Sequence, residues 1–329
     1  MLRRWWPVLL KGLLVAVILY FAKRSLALEP ADLLTFLMDA DYRFYVSMVL
    51  FTVFLILQAS IWVLIVNAVG ARTDSPTRLD LLLGLTMFIN SQFAKYIPGG
   101  FWNYAGRIVL ATRAGVSLGT QFAAILYENV LLVSAALSYA LLLAFSLDVV
   151  SIPVCIFIVV IAGVAYRYYS RITAWLGRVF AHISRWKVLH RLLQRFTNSA
   201  YTLSSSSAGA ILSRNQFFSY FCCFLGSHFV MGIAFWMLSN SFGAGRISVL
   251  YAAGTFATSW LLGLLSPLPG GLGVREGFLV YFLSHKLGAE AALNISILAR
   301  IWNMMAEITF WVVIQMANRL VRKVRSYES

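Results

Sequence analysis

The chain has 329 residues, of which 60% are hydrophobic and 12% charged, with a mean hydropathy of +0.80. That balance excludes a soluble domain of this length and points to an all-α polytopic membrane protein. The net charge of +15 then belongs in loops that meet anionic lipid head groups on the cytoplasmic side, and no nucleic-acid partner is expected.

The N-terminus has the outline of a signal peptide, with Arg3 and Arg4 before an apolar run from Val8 to Tyr20. Lys11 interrupts that run and no Ala-x-Ala site follows, so the pattern predicts an uncleaved first span, Pro7 to Ala22. Span two is predicted over Phe44–Val69, after a charged segment that includes Asp39 and Asp41. Span three starts near Leu79 and breaks at Lys95-Tyr96-Ile97-Pro98-Gly99-Gly100. The piece from Phe101 to Ala114 is too short to cross and carries Arg107 and Arg113. Spans four and five are predicted over Gly119–Phe145, which holds Glu128, and Val149–Tyr166.

A basic stretch follows, with Arg171, Arg178, Arg185, Lys187 and Arg191 set among apolar residues at roughly helical spacing. It reads either as an amphipathic helix lying on an anionic leaflet or as a basic loop that fixes orientation. Span six is predicted over Asn215–Asn240 and span seven over Ile247–Leu265. Phe278–Leu287 is again too short to cross, and span eight, Ala291–Asn318, contains Arg300 and Glu307. Cys155, Cys222 and Cys223 all fall in apolar runs, which predicts neither a disulfide framework nor a metal site.

The stretch Ser266–Gly277 puts two prolines and four glycines between apolar runs. Proline removes a donor and clashes with the preceding turn, and glycine costs about 1 kcal/mol relative to alanine, so a regular helix cannot continue. Opened backbone at bilayer depth is tolerated only inside protein or beside a wet cavity. Arg275 and Glu276, costly in hydrocarbon, are functional candidates there; a plain polar loop between spans is the alternative.

The same device occurs twice. Pro98-Gly99-Gly100 matches Pro269-Gly270-Gly271, with Gly106 and Gly277 each eight residues past the proline. Each copy leads to a long span with an embedded charge near its start, Glu128 in one and Arg300 in the other. Lysine and arginine bias puts the N-terminus, the 70–78 connector, the 167–214 segment and the tail on the cytoplasmic side. Six full spans plus two broken hairpins satisfy that bias, one hairpin opening inward and the other outward. The expected organisation is one membrane domain, 1–329, with inverted repeats at 79–166 and 247–318 joined by the 167–214 connector. Inverted repeats whose interrupted helices meet near mid-membrane are a transporter architecture, with the site where the breaks converge.

Helix N-termini freed after each Gly-Gly would offer partial positive charge to an anion. Between Val149 and Arg275 there is no acidic residue, so Glu128, Glu276 and Glu307 have few membrane partners: Lys95, Arg107, Arg275 and Arg300. Glu128 and Glu276 are expected to pair with two of these across the repeat interface, and Glu307 either to join them or to pack beside Arg300. His228 reads as a hydrogen-bonded core residue. The predicted substrate-contacting set is Lys95, Pro98, Gly99, Gly100, Arg107, Glu128, Pro269, Gly270, Gly271, Gly273, Arg275, Glu276, Arg300 and Glu307, with no cofactor.

The run Pro269-Gly270-Gly271-Leu272-Gly273-Val274-Arg275-Glu276-Gly277 resembles the signature of the lysylphosphatidylglycerol-synthase transmembrane (flippase-domain) family. Pro98-Gly99-Gly100 with Arg107, and Tyr127-Glu128-Asn129, look like its first-half motifs, although the family more usually has Glu-Arg where this chain has Glu128-Asn129. The resemblance implies lipid movement between leaflets of the inner (plasma) membrane, without the soluble aminoacyl-transferase domain that often accompanies it. It also implies an anionic or polyprenyl-phosphate-linked lipid, or an aminoacylated phospholipid, as cargo, and a glycosyltransferase or other envelope enzyme as possible partner. The sequence has no Gly-x-x-x-x-Gly-Lys-Ser/Thr phosphate loop, so movement would draw on a gradient, the membrane potential or mass action. Two alternatives stand beside it: a membrane glycosyltransferase using Asp39 and Asp41, and a non-transporting scaffold for a synthase.

Overall fold

A computed structural model describes residues 40–72, 78–96, 101–171, 173, 212–241, 245–266 and 269–328. The predicted first span, the basic stretch beyond 173 and the residues Asp39, Pro98, Gly99 and Gly100 lie outside the described residues. Those described form helices and connecting turns: α1 (Tyr42–Gly70), α2 (Leu81–Gln92), α3 (Trp102–Arg113), α4 (Leu118–Ser146), α5 (Ile152–Arg167), α6 (Arg214–Asn240), α7 (Val249–Leu264), α8 (Val274–Leu287) and α9 (Ala289–Glu328).

Four of these, α1, α4, α6 and α9, are long and apolar enough to cross a membrane. They coincide with predicted spans two, four, six and eight. Their starts follow local capping chemistry: Ser117 accepts from the Thr120 amide, and Ser213 forms a full capping box with Gln216. α5 and α7 have 16 residues each, about 24 Å at 1.5 Å per residue, against the roughly 30 Å of hydrocarbon. α2 stops after 12 residues and tightens into a 3₁₀ turn, Phe93–Tyr96. α7 is followed, after 267–268, by a second 3₁₀ turn, Pro269–Gly271, in which Gly270 is left-handed at φ 63°.

α1 packs on α2, α4, α6 and α9, while α6 packs on α7, α9, α1 and α4. Exchanging α1 with α6, α2 with α7, α3 with α8 and α4 with α9 therefore returns the same helix pairings, down to α2 on α9 and α7 on α4. The exchange takes in α1 and α6, and α5 stands outside it. The two 3₁₀ turns pack against each other at its centre.

An aromatic knot joins α1, α6, α7 and α9. Phe51 lies 4.2 Å from Trp302 and 5.7 Å from Phe256, with Phe235 a further 5.0 Å from Phe256. The Trp302 indole N–H donates to Ser47 Oγ at 3.0 Å, so the buried ring leaves no orphan donor. Small residues let backbones approach: a Cβ on Gly254 of α7 would stand 2.8 Å from the Tyr139 carbonyl oxygen on α4.

Candidate functional site

The two broken turns close one side of a cavity of about 300 Å³, walled further by α1, α2, α3, α4, α6, α7, α8 and α9. Of the sequence-predicted residues, Lys95, Arg107, Glu128, Gly270, Gly271, Arg275, Arg300 and Glu307 line it. Residues 205 positions apart, Lys95 and Arg300, thus share one chamber. Glu276 sits one step behind the wall, holding Arg300, and Gly273 is its backbone partner. Pro269 opens the second turn.

Three ion pairs organise the chamber. Arg107 Nη1 donates to both oxygens of Glu128, at 2.9 and 2.7 Å, with both residues buried. The Arg107 guanidinium also lies over Phe88 at 4.2 Å and Trp62 at 5.0 Å, so aromatic faces replace the water it lost. Asn129 supplies no charge to Glu128; it accepts from the Tyr104 hydroxyl at 2.6 Å, and the charge partner of Glu128 is Arg107.

The second pair is Lys95 with Glu307, whose other oxygen accepts from the Tyr96 hydroxyl at 3.0 Å. In the orientation its neighbours require, Asn303 donates to Glu307 Oε1 at 2.9 Å and accepts from Arg275 Nη1 at 3.1 Å. The third pair is Arg300 Nη1 with Glu276 Oε1 at 2.5 Å, and Glu276 Oε2 accepts from the Gly273 N–H at 2.7 Å.

One expectation is corrected here. Glu128 and Glu276 do not reach across the repeats: each pairs inside its own, because α3 folds back on α4 and α8 on α9, bringing residues 21 and 24 positions apart together. The pair that crosses is Lys95–Glu307, which also takes Glu307 away from Arg300. At the N-terminus of α8 the Glu276 carboxylate takes the amide of Gly273, the residue just before the helix. His228 is the core residue expected, buried and bonded through Nδ1 to the Phe224 carbonyl at 2.8 Å, and it also borders the chamber.

Sequence reasoning missed Tyr96, Asn103, Tyr104 and Asn303 in the wall. Helical spacing carried the signal for most of them. Arg300, Asn303 and Glu307 are three and four apart on α9, and Asn103 and Tyr104 are four and three before Arg107 on α3.

Glycine at 271 is dictated by geometry. Its φ is +68°, and a Cβ there would stand 2.9 Å from Cα and O of Gly263 on α7. We expect Gly271→Ala to lower the melting temperature of the purified protein markedly, because both backbones must separate and a left-handed alanine costs about 1–2 kcal/mol besides. Gly277→Ala, in the same motif but facing open space, should melt like the unchanged protein.

The family model described as "Lysylphosphatidylglycerol synthase TM region" matches residues 8–314. No curated protein and no solved structure matches the chain. The chain belongs to that family of membrane proteins, which places it among lipid and envelope processes.

Proposed function

We propose that this member of the family is a lipid transporter, a flippase that passes a polar head group through the chamber while the acyl chains stay in lipid. The observation that carries this reading is the chamber itself. Four cations and three carboxylates, unfavourable in hydrocarbon, are gathered around two interrupted helices in a membrane protein. The helix pairings that survive exchange of the two halves support an inverted repeat, in which rocking of one half against the other would expose the chamber to each leaflet in turn. With the basic segments facing the cytoplasm, both termini lie on that side of the plasma membrane, and an envelope enzyme that makes or uses the lipid is the natural partner. Asp41, which the glycosyltransferase alternative needs, is occupied as the cap of α1 and the partner of Arg43.

Transbilayer movement of labelled lipids in proteoliposomes tests this. The panel is phosphatidylglycerol, an aminoacylated phospholipid and a polyprenyl phosphate. At least one class should cross much faster than in protein-free vesicles, and Arg300→Ala should slow it about tenfold or more, the cost of a lost charged hydrogen bond. Folded protein that moves none of them overturns the proposal.

A further inference from the structure

The chamber's charges do not balance. Lys95, Arg107 and Arg300 each have a carboxylate, whereas Arg275 has none within ion-pair distance among the described residues. Its guanidinium rests over the Phe256 ring at 4.6 Å, and Nη1 meets only the Asn303 amide oxygen. Nη2 is shut off from solvent and has no hydrogen-bond partner. Asn103 lines the same cavity, and its side-chain oxygen is likewise enclosed and unpartnered. Among the residues that line a space of about 300 Å³ are therefore an arginine with an orphan donor and an asparagine with an orphan acceptor; that volume is the lower end of the range for small-ligand pockets and room for a head group without its chains.

The carboxylates are as informative as the arginine. Both Glu128 oxygens meet Arg107. Glu307 is held by Lys95, Tyr96 and Asn303. Glu276 is held by Arg300 and the Gly273 amide. Among the described residues, an ammonium group entering the chamber would find no uncompensated acid and one uncompensated cation, a like-charge encounter that a low-dielectric site amplifies.

We infer that the chamber selects a phosphodiester lipid whose head group is otherwise uncharged and hydroxyl-bearing, with the phosphodiester anion on Arg275 Nη2 and a head-group hydroxyl donating to Asn103, and that it discriminates against aminoacylated heads. A glycerol or a sugar joined through one phosphodiester meets that description; lysyl and ethanolamine heads do not. A cationic partner for the anion and an acceptor for the hydroxyl are then satisfied together, as buried polar groups require. This rests on the transporter reading and sharpens its substrate.

The test uses the full chain, purified and reconstituted, and compares labelled phosphatidylglycerol, phosphatidylethanolamine and lysylphosphatidylglycerol for transbilayer movement. In parallel, short-chain forms of the three lipids and inorganic phosphate are titrated against the melting temperature in detergent. Phosphatidylglycerol should move fastest and stabilise at about tenfold or more lower concentration than the two amine-bearing lipids. Arg275→Gln should raise that concentration about ten- to a hundredfold, the range for a charge-assisted hydrogen bond, with Arg275→Lys in between. Lysylphosphatidylglycerol moving or stabilising as well as phosphatidylglycerol in the unchanged protein would overturn the selectivity while leaving a flippase standing. Stabilisation by inorganic phosphate equal to that by phosphatidylglycerol would overturn the lipid head as the source of the anion. Movement of no lipid would instead sink the transporter reading, and the melting curves would still show whether Arg275 and the head group meet.

Discussion

Arg107→Leu should be among the most destabilising single changes in the described part of the protein. Arg107 is 2% exposed, and its removal leaves Glu128, 4% exposed, as a buried carboxylate with no cation. Uncompensated burial of this kind costs about 3–5 kcal/mol, and the aromatic faces of Phe88 and Trp62 lose the group they cover. The measurement is the melting temperature and the yield of monodisperse protein in detergent. The companion experiment separates fold from function. Because a buried pair replaced by apolar residues of similar volume is often neutral in stability, Arg107→Leu with Glu128→Leu should recover most of the lost stability. A double variant as unstable as the single one would show that Arg107 stabilises by stacking and not by neutralising Glu128. Arg107→Lys should rescue little, since a single ammonium offers no planar group for those rings.

The second large effect is expected at the bond between the two halves. Glu307 is 0% exposed and Lys95 retains 24% of its side-chain surface, so Lys95→Met leaves a buried carboxylate with only Tyr96 and Asn303 to support it. Partial exposure of the lysine screens the pair, so a loss of about 2–3 kcal/mol is expected, somewhat below that at Arg107. Glu307→Gln should cost less than Lys95→Met, because it removes the buried charge along with the bond. The reversed pair, Lys95→Glu with Glu307→Lys, decides what the contact is for. Recovery of melting temperature together with lipid movement would make it a clasp whose polarity is immaterial. Recovery of stability without movement would mean that an ammonium at position 95 or a carboxylate at 307 takes part in passage itself. Failure to recover either would mean that Tyr96 and Asn303, arranged as donors to a carboxylate, fix the polarity.

Much of this molecule is legible in the order of its residues. Four long apolar helices, the two places where helices break and the charged residues beside them all follow from local rules. An apolar run of more than twenty residues spans, proline with glycine cannot stay helical, and charge in a span is there for a reason. The predicted starts of α1, α4 and α6 fall within one or two residues of those observed, where Asp41, Ser117 and Ser213 cap them. Asn303 was within reach of the same reasoning, lying on one face of α9 with Arg300 and Glu307.

The pairing of the charges was not legible. Composition says that Glu128, Glu276 and Glu307 must choose among Lys95, Arg107, Arg275 and Arg300, and nothing in one dimension ranks the choices. Distance along the chain is a poor guide: Arg300 is seven residues from Glu307 yet bonds Glu276, and Lys95 finds Glu307 from 212 residues away. Only packing decides it. α3 turns back on α4 and α8 on α9, which settles two pairs locally, and the meeting of the two 3₁₀ turns brings Lys95 to α9. The remaining cation, Arg275, stays unmatched among the described residues because its neighbour Glu276 is already committed to Arg300 and to the start of α8. The residue types were written in the sequence, since they depend on local cost in a membrane. Which charge is left over is a property of the assembled chamber, since it depends on which carboxylates the others have taken.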